Sequence, residues 1–131
     1  MTWEKTTNGI LIRATPHFLD DRSDVEAGRF VWAYQIEIEN RSAQQVQLLN
    51  RYWRITDANG RAEEIFGQGV VGEQPVLAPA ATYRYTSGAP LMTPSGLMEG
   101  YYEMQSETGE PFRALIPLFS LDSPHDTASK H

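Results

Sequence analysis

Six residues, Gly67-Gln68-Gly69-Val70-Val71-Gly72, have the Gly-x-Gly-x-x-Gly spacing that lets backbone amides approach a pyrophosphate. That chemistry needs a buried strand before the loop and a helix after it, whose N-terminus meets the phosphate. Here Glu73-Gln74-Pro75-Val76-Leu77-Ala78-Pro79 follows, and Pro79 stops any helix before it has length. A Rossmann-type dinucleotide site is therefore not expected. Three readings of the loop from Gly67 to Pro75 remain. The glycines can supply positive φ and close backbone packing where a strand leaves a sheet. Successive amides of Gly67, Gly69 and Gly72 can form a nest for phosphate or another small anion. Val70 and Val71, expected to be exposed between glycines, can present an apolar contact to a protein partner, with Gln74, Pro75, Tyr85 and Ser87 beside them. Arg51 and Arg84 stand on strands and are expected to project onto one outer face near the loop. There they either neutralise an anion or form cross-strand salt bridges with Glu37, Glu39 or Glu103.

Other residue clusters suggest chemistry that their spacing does not support. The acidic run Asp20-Asp21-Arg22-Ser23-Asp24-Val25-Glu26 has carboxylates suited to magnesium or calcium. Numbered as an EF-hand loop from Asp20, it puts Val25 at the turn glycine and Val31 at the bidentate carboxylate, so it reads as a solvated connection. His17, His125 and His131 include no pair with zinc spacing, and neither a metal nor another cofactor is expected. Thr86-Ser87-Gly88 lacks the glycine-flanked serine of a nucleophile elbow, and His17 is the one histidine expected in ordered structure, so a catalytic triad is not supported. Trp53 could be a stacking platform, but a tryptophan in the middle of an inner strand reads first as core.

Composition narrows the partners. Seventeen acidic against eleven basic residues leave a net charge of -6, a field that repels phosphate backbones and anionic membranes, so nucleic acid is not an expected ligand. There is no cysteine, no apolar run long enough to span a bilayer and no signal-like start in Met1-Thr2-Trp3-Glu4-Lys5, which together point to the cytoplasm. The 131 residues, 40% of them hydrophobic, are enough for one globular domain.

The elements that must position these residues are strands. Period-two alternation is clearest at Phe30–Asn40, where Phe30, Trp32, Tyr34, Ile36 and Ile38 share a face. A second strand over Val46–Asp57 is expected to put Leu49, Trp53 and Ile55 on one side and to turn at Asn59-Gly60 into a return arm, Ala62–Phe66. Further strands are expected at Ile10–Thr15, Thr82–Ser87, Leu97–Gln105 and Phe112–Leu118, with irregular connections at 20–28 and 67–79. About seven strands and no helix predict an all-β sandwich of the immunoglobulin or fibronectin type III kind over residues 1–121. Pro16, Pro111 and Pro117 should lie at edges or strand ends. Residues 122–131 are polar, lack an apolar anchor and are expected to form a flexible tail. Free strand edges make a homodimer an option.

Several of these segments also carry a family resemblance. Arg29–Tyr34, Gln47–Thr56, Gly67–Pro75, Tyr85–Gly88, Thr93–Met104 and Ile116–Phe119 resemble the bacterial ApaG family, with the match running from Ile10 to Leu121. One departure is Ala80, where the family often has glycine after the proline. The resemblance implies a fibronectin type III-like sandwich, a link to cobalt resistance and magnesium efflux, and no established catalytic activity. It also implies a protein-interaction role, because the related domain sits inside larger eukaryotic proteins, among them an F-box protein. The family's genetic neighbourhood with a diadenosine tetraphosphatase suggests a phosphate-rich ligand instead. The reading taken forward is a non-enzymatic module for a protein partner tied to divalent-cation homeostasis, with a nucleotide or pyrophosphate sensor as the alternative.

Overall fold

Alternating apolar and polar side chains do become strands. The computed structural model describes residues 1–126, and they form β1 (Trp3–Thr7), β2 (Ile10–Phe18), β3 (Phe30–Asn40), β4 (Val46–Asp57), β5 (Ala62–Gln68), β6 (Val76–Leu77), β7 (Thr82–Leu91), β8 (Ser95–Ser106) and β9 (Pro111–Asp122). Every pairing is antiparallel. One sheet runs β1-β2-β3-β7 and the other β5-β4-β8-β9, with β6 beside β4 just beyond the end of β5. The strands β1 and β2 pack on β9, which leaves β5 and β7 as the neighbouring edges on the opposite side of the sandwich. Among the described residues, no helix is long and apolar enough to cross a membrane.

The core lies between the sheets. Phe30, Trp32, Tyr34, Ile36 and Ile38 are all buried, as their spacing predicts. Trp53 is 2% exposed and meets Tyr34 and Phe119 edge-on, at ring-centroid distances of 5.3 and 6.0 Å, so it is core and not a platform. Outside the four-stranded sheet, charges alternate with that core: Arg84 reaches Glu37 at 2.6 Å, and Arg13 bridges Glu37 and Glu39. The Arg84 hydrogen bond holds the Glu37 carboxyl below the usual carboxylate range, and the bond from Arg41 does the same for Glu39.

Four expectations need correction. The first strand, β1, was not foreseen, although Asn8-Gly9 is a strong hairpin signal; both residues take positive φ, +50° and +78°, and close a two-residue turn. Leu49 does not share the face of Trp53, because the β4–β8 register shifts between Leu48 and Asn50 and leaves Leu48 fully buried instead. The connections at 20–28 and 67–79 are not wholly irregular: Asp20–Arg22 forms a single 3-10 turn, while Gly67 and Gln68 extend β5 and Val76–Leu77 make β6. Finally, the polar segment from Asp122 does not fray at once. Asp122 ends β9, the Ser123 hydroxyl donates to the Pro94 carbonyl at 2.7 Å, Asp126 is buried, and the His125 ring lies 5.7 Å from Phe18. The rest of that expectation, 127–131, lies outside the described residues.

The prolines sit where a missing amide costs little. Pro16 lies beyond the last β1 pair, Trp3 with Ala14; Pro111 opens β9; and Pro117 stands on the outer strand near the register shift between Met98 and Gly100. Ala80 is the reverse case. It takes φ of +74°, a conformation that crowds a Cβ, and its amide donates to Asn40 at 2.7 Å, which pins the turn. Ala80→Gly should therefore raise stability by about 1 kcal/mol, the relief of strain outweighing the entropy that glycine adds to the unfolded chain. Urea denaturation of the two proteins measures it.

Candidate functional site

The glycine-rich loop is a hairpin laid on the β4 bulge. Val70 and Glu73 exchange both backbone hydrogen bonds, at 2.8 and 2.9 Å, and leave Val71 and Gly72 as a two-residue turn. Their φ values of +42° and +82° are those of a type I′ turn, which gives a tight right-twisted hairpin. Gly72 suits this conformation; Val71, branched at Cβ, does not.

The other two glycines are needed for close approach. Gly69 has φ of +64°, and a Cβ there would lie 2.3 Å from the Glu73 carbonyl oxygen. Gly67 has ordinary strand backbone, but it is the cross-strand partner of Arg51, and a Cβ would lie 2.7 Å from that guanidinium carbon. Alternation puts Arg51 on the same face as Trp53, so its side chain passes over its cross-strand partner Gly67 and donates through Nη1 to the carbonyls of Gln68 and Gly69, both at 2.9 Å. Gln74 adds a bond from Nε2 to the Leu49 carbonyl at 3.0 Å, and Gln47 donates to the Gln74 carbonyl at 3.2 Å. Pro75 accepts from the Leu48 amide at 3.0 Å, and the Tyr83 hydroxyl bonds Glu73 at 3.1 Å. The hairpin is thereby tied to both sheets.

These contacts sort the expected site residues. Gly67, Gly69, Gly72, Gln74, Pro75 and Arg51 do come together around the Val71-Gly72 turn. Val70 is not a surface contact: it is fully buried and belongs to the core, because the hairpin folds its first arm inward, whereas Val71 is 59% exposed. Tyr85 is buried in the core, its hydroxyl bonded to that of Tyr102, and Ser87 stands opposite Tyr34 in the β3–β7 register. Burial holds the phenols of Tyr34, Tyr85 and Tyr102 above their usual range, so all three stay neutral at physiological pH, although the charge of Arg51 acts in the opposite direction on each. Arg84 does not share a face with Arg51. It lies outside the other sheet and bonds Glu37, the cross-strand salt bridge weighed as its alternative.

One surface feature was missed. On the outside of the five-stranded sheet the register lines up Phe66, Tyr52 and Tyr101; Tyr52 and Tyr101 stack at 4.8 Å, and the Arg113 guanidinium sits 4.3 Å above Tyr101. The signal was present in Tyr52-Trp53 and Tyr101-Tyr102, where period two must send one ring of each pair to the core and the other outward.

The comparisons with known proteins agree with the geometry. The ApaG domain family model matches residues 20–106. The chain is 57% identical over 129 residues to Protein ApaG of Maricaulis maris, covering 98% of this chain and 99% of that one. Protein ApaG of Paramagnetospirillum magneticum is 54% identical, covering 95% of each. Among solved structures, a Bordetella pertussis protein called ApaA superposes with a TM-score of 0.86 at 41% identity, covering 88% of this chain and 94% of that one. With residues 20–106 matched by the family model and relatives aligned over nearly the full length, the chain belongs to the ApaG family.

Proposed function

We propose that this protein acts by binding and not by catalysis, and that the Val71-Gly72 turn is the contact for a protein partner. The observation that carries this reading is Val71 itself: a β-branched residue held at positive φ and left exposed. Strain of this kind costs on the order of 1–3 kcal/mol and is typical of positions where surroundings impose a conformation for use. The surroundings here are the bonds from Arg51, Gln47, Gln74 and Tyr83, which make the turn a rigid presentation and lower the ordering cost of association. A partner connected with divalent-cation homeostasis is the one that the family resemblance suggests.

The anion-sensor reading draws less support from the geometry. The amides of Gly69, Val70 and Glu73 donate within the hairpin and its base, and Arg51 already serves two carbonyls, so phosphate would compete with bonds that hold the loop.

Val71→Gly separates binding from folding. It relieves the strained φ while removing the apolar contact, so it should leave the protein at least as stable and abolish co-purification of the partner from native cells. Recovery of the same partner with both proteins would sink the reading. Chemical shifts at 69–73 upon adding pyrophosphate would favour the alternative.

A further inference from the structure

A sandwich leaves four edge strands with unpaired amides and carbonyls, and natural proteins blunt them. Three are blunted here. The edge strand β9 carries Pro111 and Pro117, and its Leu115 amide bonds the Thr7 hydroxyl at 3.2 Å; β1 is five residues long and packs on β9; β7 carries Pro90. The remaining edge, β5, has seven residues with no proline, no lysine and an unbroken register against β4, and all but Gly67 are exposed.

The ladder shows which groups are free. Its flanking pairs, the Asp57 amide with the Arg61 carbonyl at 2.9 Å and the Gly69 amide with the Leu49 carbonyl at 2.8 Å, keep the β4–β5 register. Alternation then assigns the odd-numbered residues of β5 to β4 and turns the amides and carbonyls of Ala62, Glu64 and Phe66 to solvent. Both faces of this edge have apolar sites. Phe66, 62% exposed, lies next to the Tyr52–Tyr101 stack, and on the inner side a cleft of about 660 Å³ with Ile55, Leu91 and Met92 in its lining opens between β5 and the end of β7.

Charge selects the occupant. Glu63 and Glu64 make no ion pair among the described residues, although Glu64 stands opposite Arg54 and accepts from the Tyr52 hydroxyl, and the chain as a whole carries -6. The cleft is balanced, Arg29 and Arg61 against Asp57 and Glu63, so it favours an apolar side chain. Pairing of β5 with β5 of a second copy would set these glutamates against each other, which is unfavourable. We infer that β5 is an open pairing edge for an extended segment of another protein in which basic side chains alternate with apolar ones. The apolar side chains enter the cleft, and the basic ones lie by Glu64 over Phe66 and Tyr52, the contact that Arg113 already makes with Tyr101. This surface is separate from the Val71 turn and does not depend on the reading of that turn.

The test is hydrogen exchange and NMR titration of the full chain with a synthetic peptide of alternating arginine and valine. Its comparison peptides are a block isomer of equal composition and a glutamate-for-arginine analogue. The alternating peptide should slow exchange at Ala62, Glu64 and Phe66 at least tenfold and bind about tenfold more weakly to Glu64→Gln. Glu64→Pro, which removes only an outward amide, should lose binding while keeping the native spectrum; if it unfolds, Glu64→Gln and the exchange pattern carry the test. Equal binding of the block isomer, protection at β7 or at 69–73 instead, or no protection at millimolar peptide would overturn the inference. So would protection of β5 that grows with protein concentration alone, which would identify a second copy as the occupant.

Discussion

Val70→Asp should cost about 4 kcal/mol or more, whereas Val71→Asp, one residue away, should leave stability within about 0.5 kcal/mol of the parent. Val70 is fully buried among apolar side chains, and a carboxylate placed there must either stay ionised without a partner or take up a proton. Val71 is exposed at positive φ, where aspartate is tolerated better than a β-branched residue. For a domain whose whole stability is on the order of 5–15 kcal/mol, the first substitution leaves a substantial unfolded population, and the second is close to silent. Urea titrations at neutral pH distinguish the two. Equal losses would mean that the hairpin does not fold its first arm into the core.

Asn40→Asp should be nearly as damaging, by about 3–5 kcal/mol at pH 7. Asn40 is fully buried and uses its whole side chain. Its Nδ2 donates to the carbonyls of Gln44 and Leu77 at 2.8 and 3.0 Å, and its Oδ1 accepts from the Ser42 amide and hydroxyl at 2.9 and 2.6 Å. An aspartate keeps the accepting half, but it turns a second oxygen toward two carbonyl oxygens and brings a charge into the interior. Burial and those carbonyls raise its folded-state pKa above the unfolded value, so the folded variant holds its proton more tightly than the unfolded chain does. The deficit should accordingly grow as pH rises through about 4 and shrink below it. The parent has the opposite slope. Glu37 and Glu39, held below their usual range, contribute stability above the unfolded carboxylate value and lose it as pH falls through their folded values. The difference between variant and parent, followed from pH 7 to pH 4, is therefore the quantity to measure. A deficit that does not narrow on acidification would mean that the charge is solvated.

Much of the fold was legible because local periodicity and burial coincide. The five alternating apolar residues of Phe30–Asn40 are all core, and the turn at Asn59-Gly60 closes β4 onto β5 with Gly60 at φ of +83°. Where reading failed, a long-range effect had intervened. The bulge at Leu49 arises from pairing with Glu103 and Met104 of β8, far along the chain, and no pattern inside β4 announces it. Arg51 and Arg84, expected on one face, lie on different sheets because β4 pairs with β5 and β8 whereas β7 pairs with β3, an assignment that no local pattern announces. The polar residues 122–126 looked unanchored because their contacts are with Phe18 and Pro94, far away in sequence.

By itself, the sequence determined the class of fold, most of the strand faces and the absence of a helix after the glycines, because each depends on backbone preference or on neighbours within a few residues. Only the tertiary structure decided what the glycines are for. Gly67 makes room for Arg51, Gly69 for the Glu73 carbonyl, and Gly72 completes a type I′ turn; these needs come from atoms that the fold brings into contact. It also divided Val70 from Val71, one inside and one out, since a hairpin reversing over a packed sheet can bury only one of its arms. And it left β5 open, because whether a strand is an edge depends on which strands pair elsewhere.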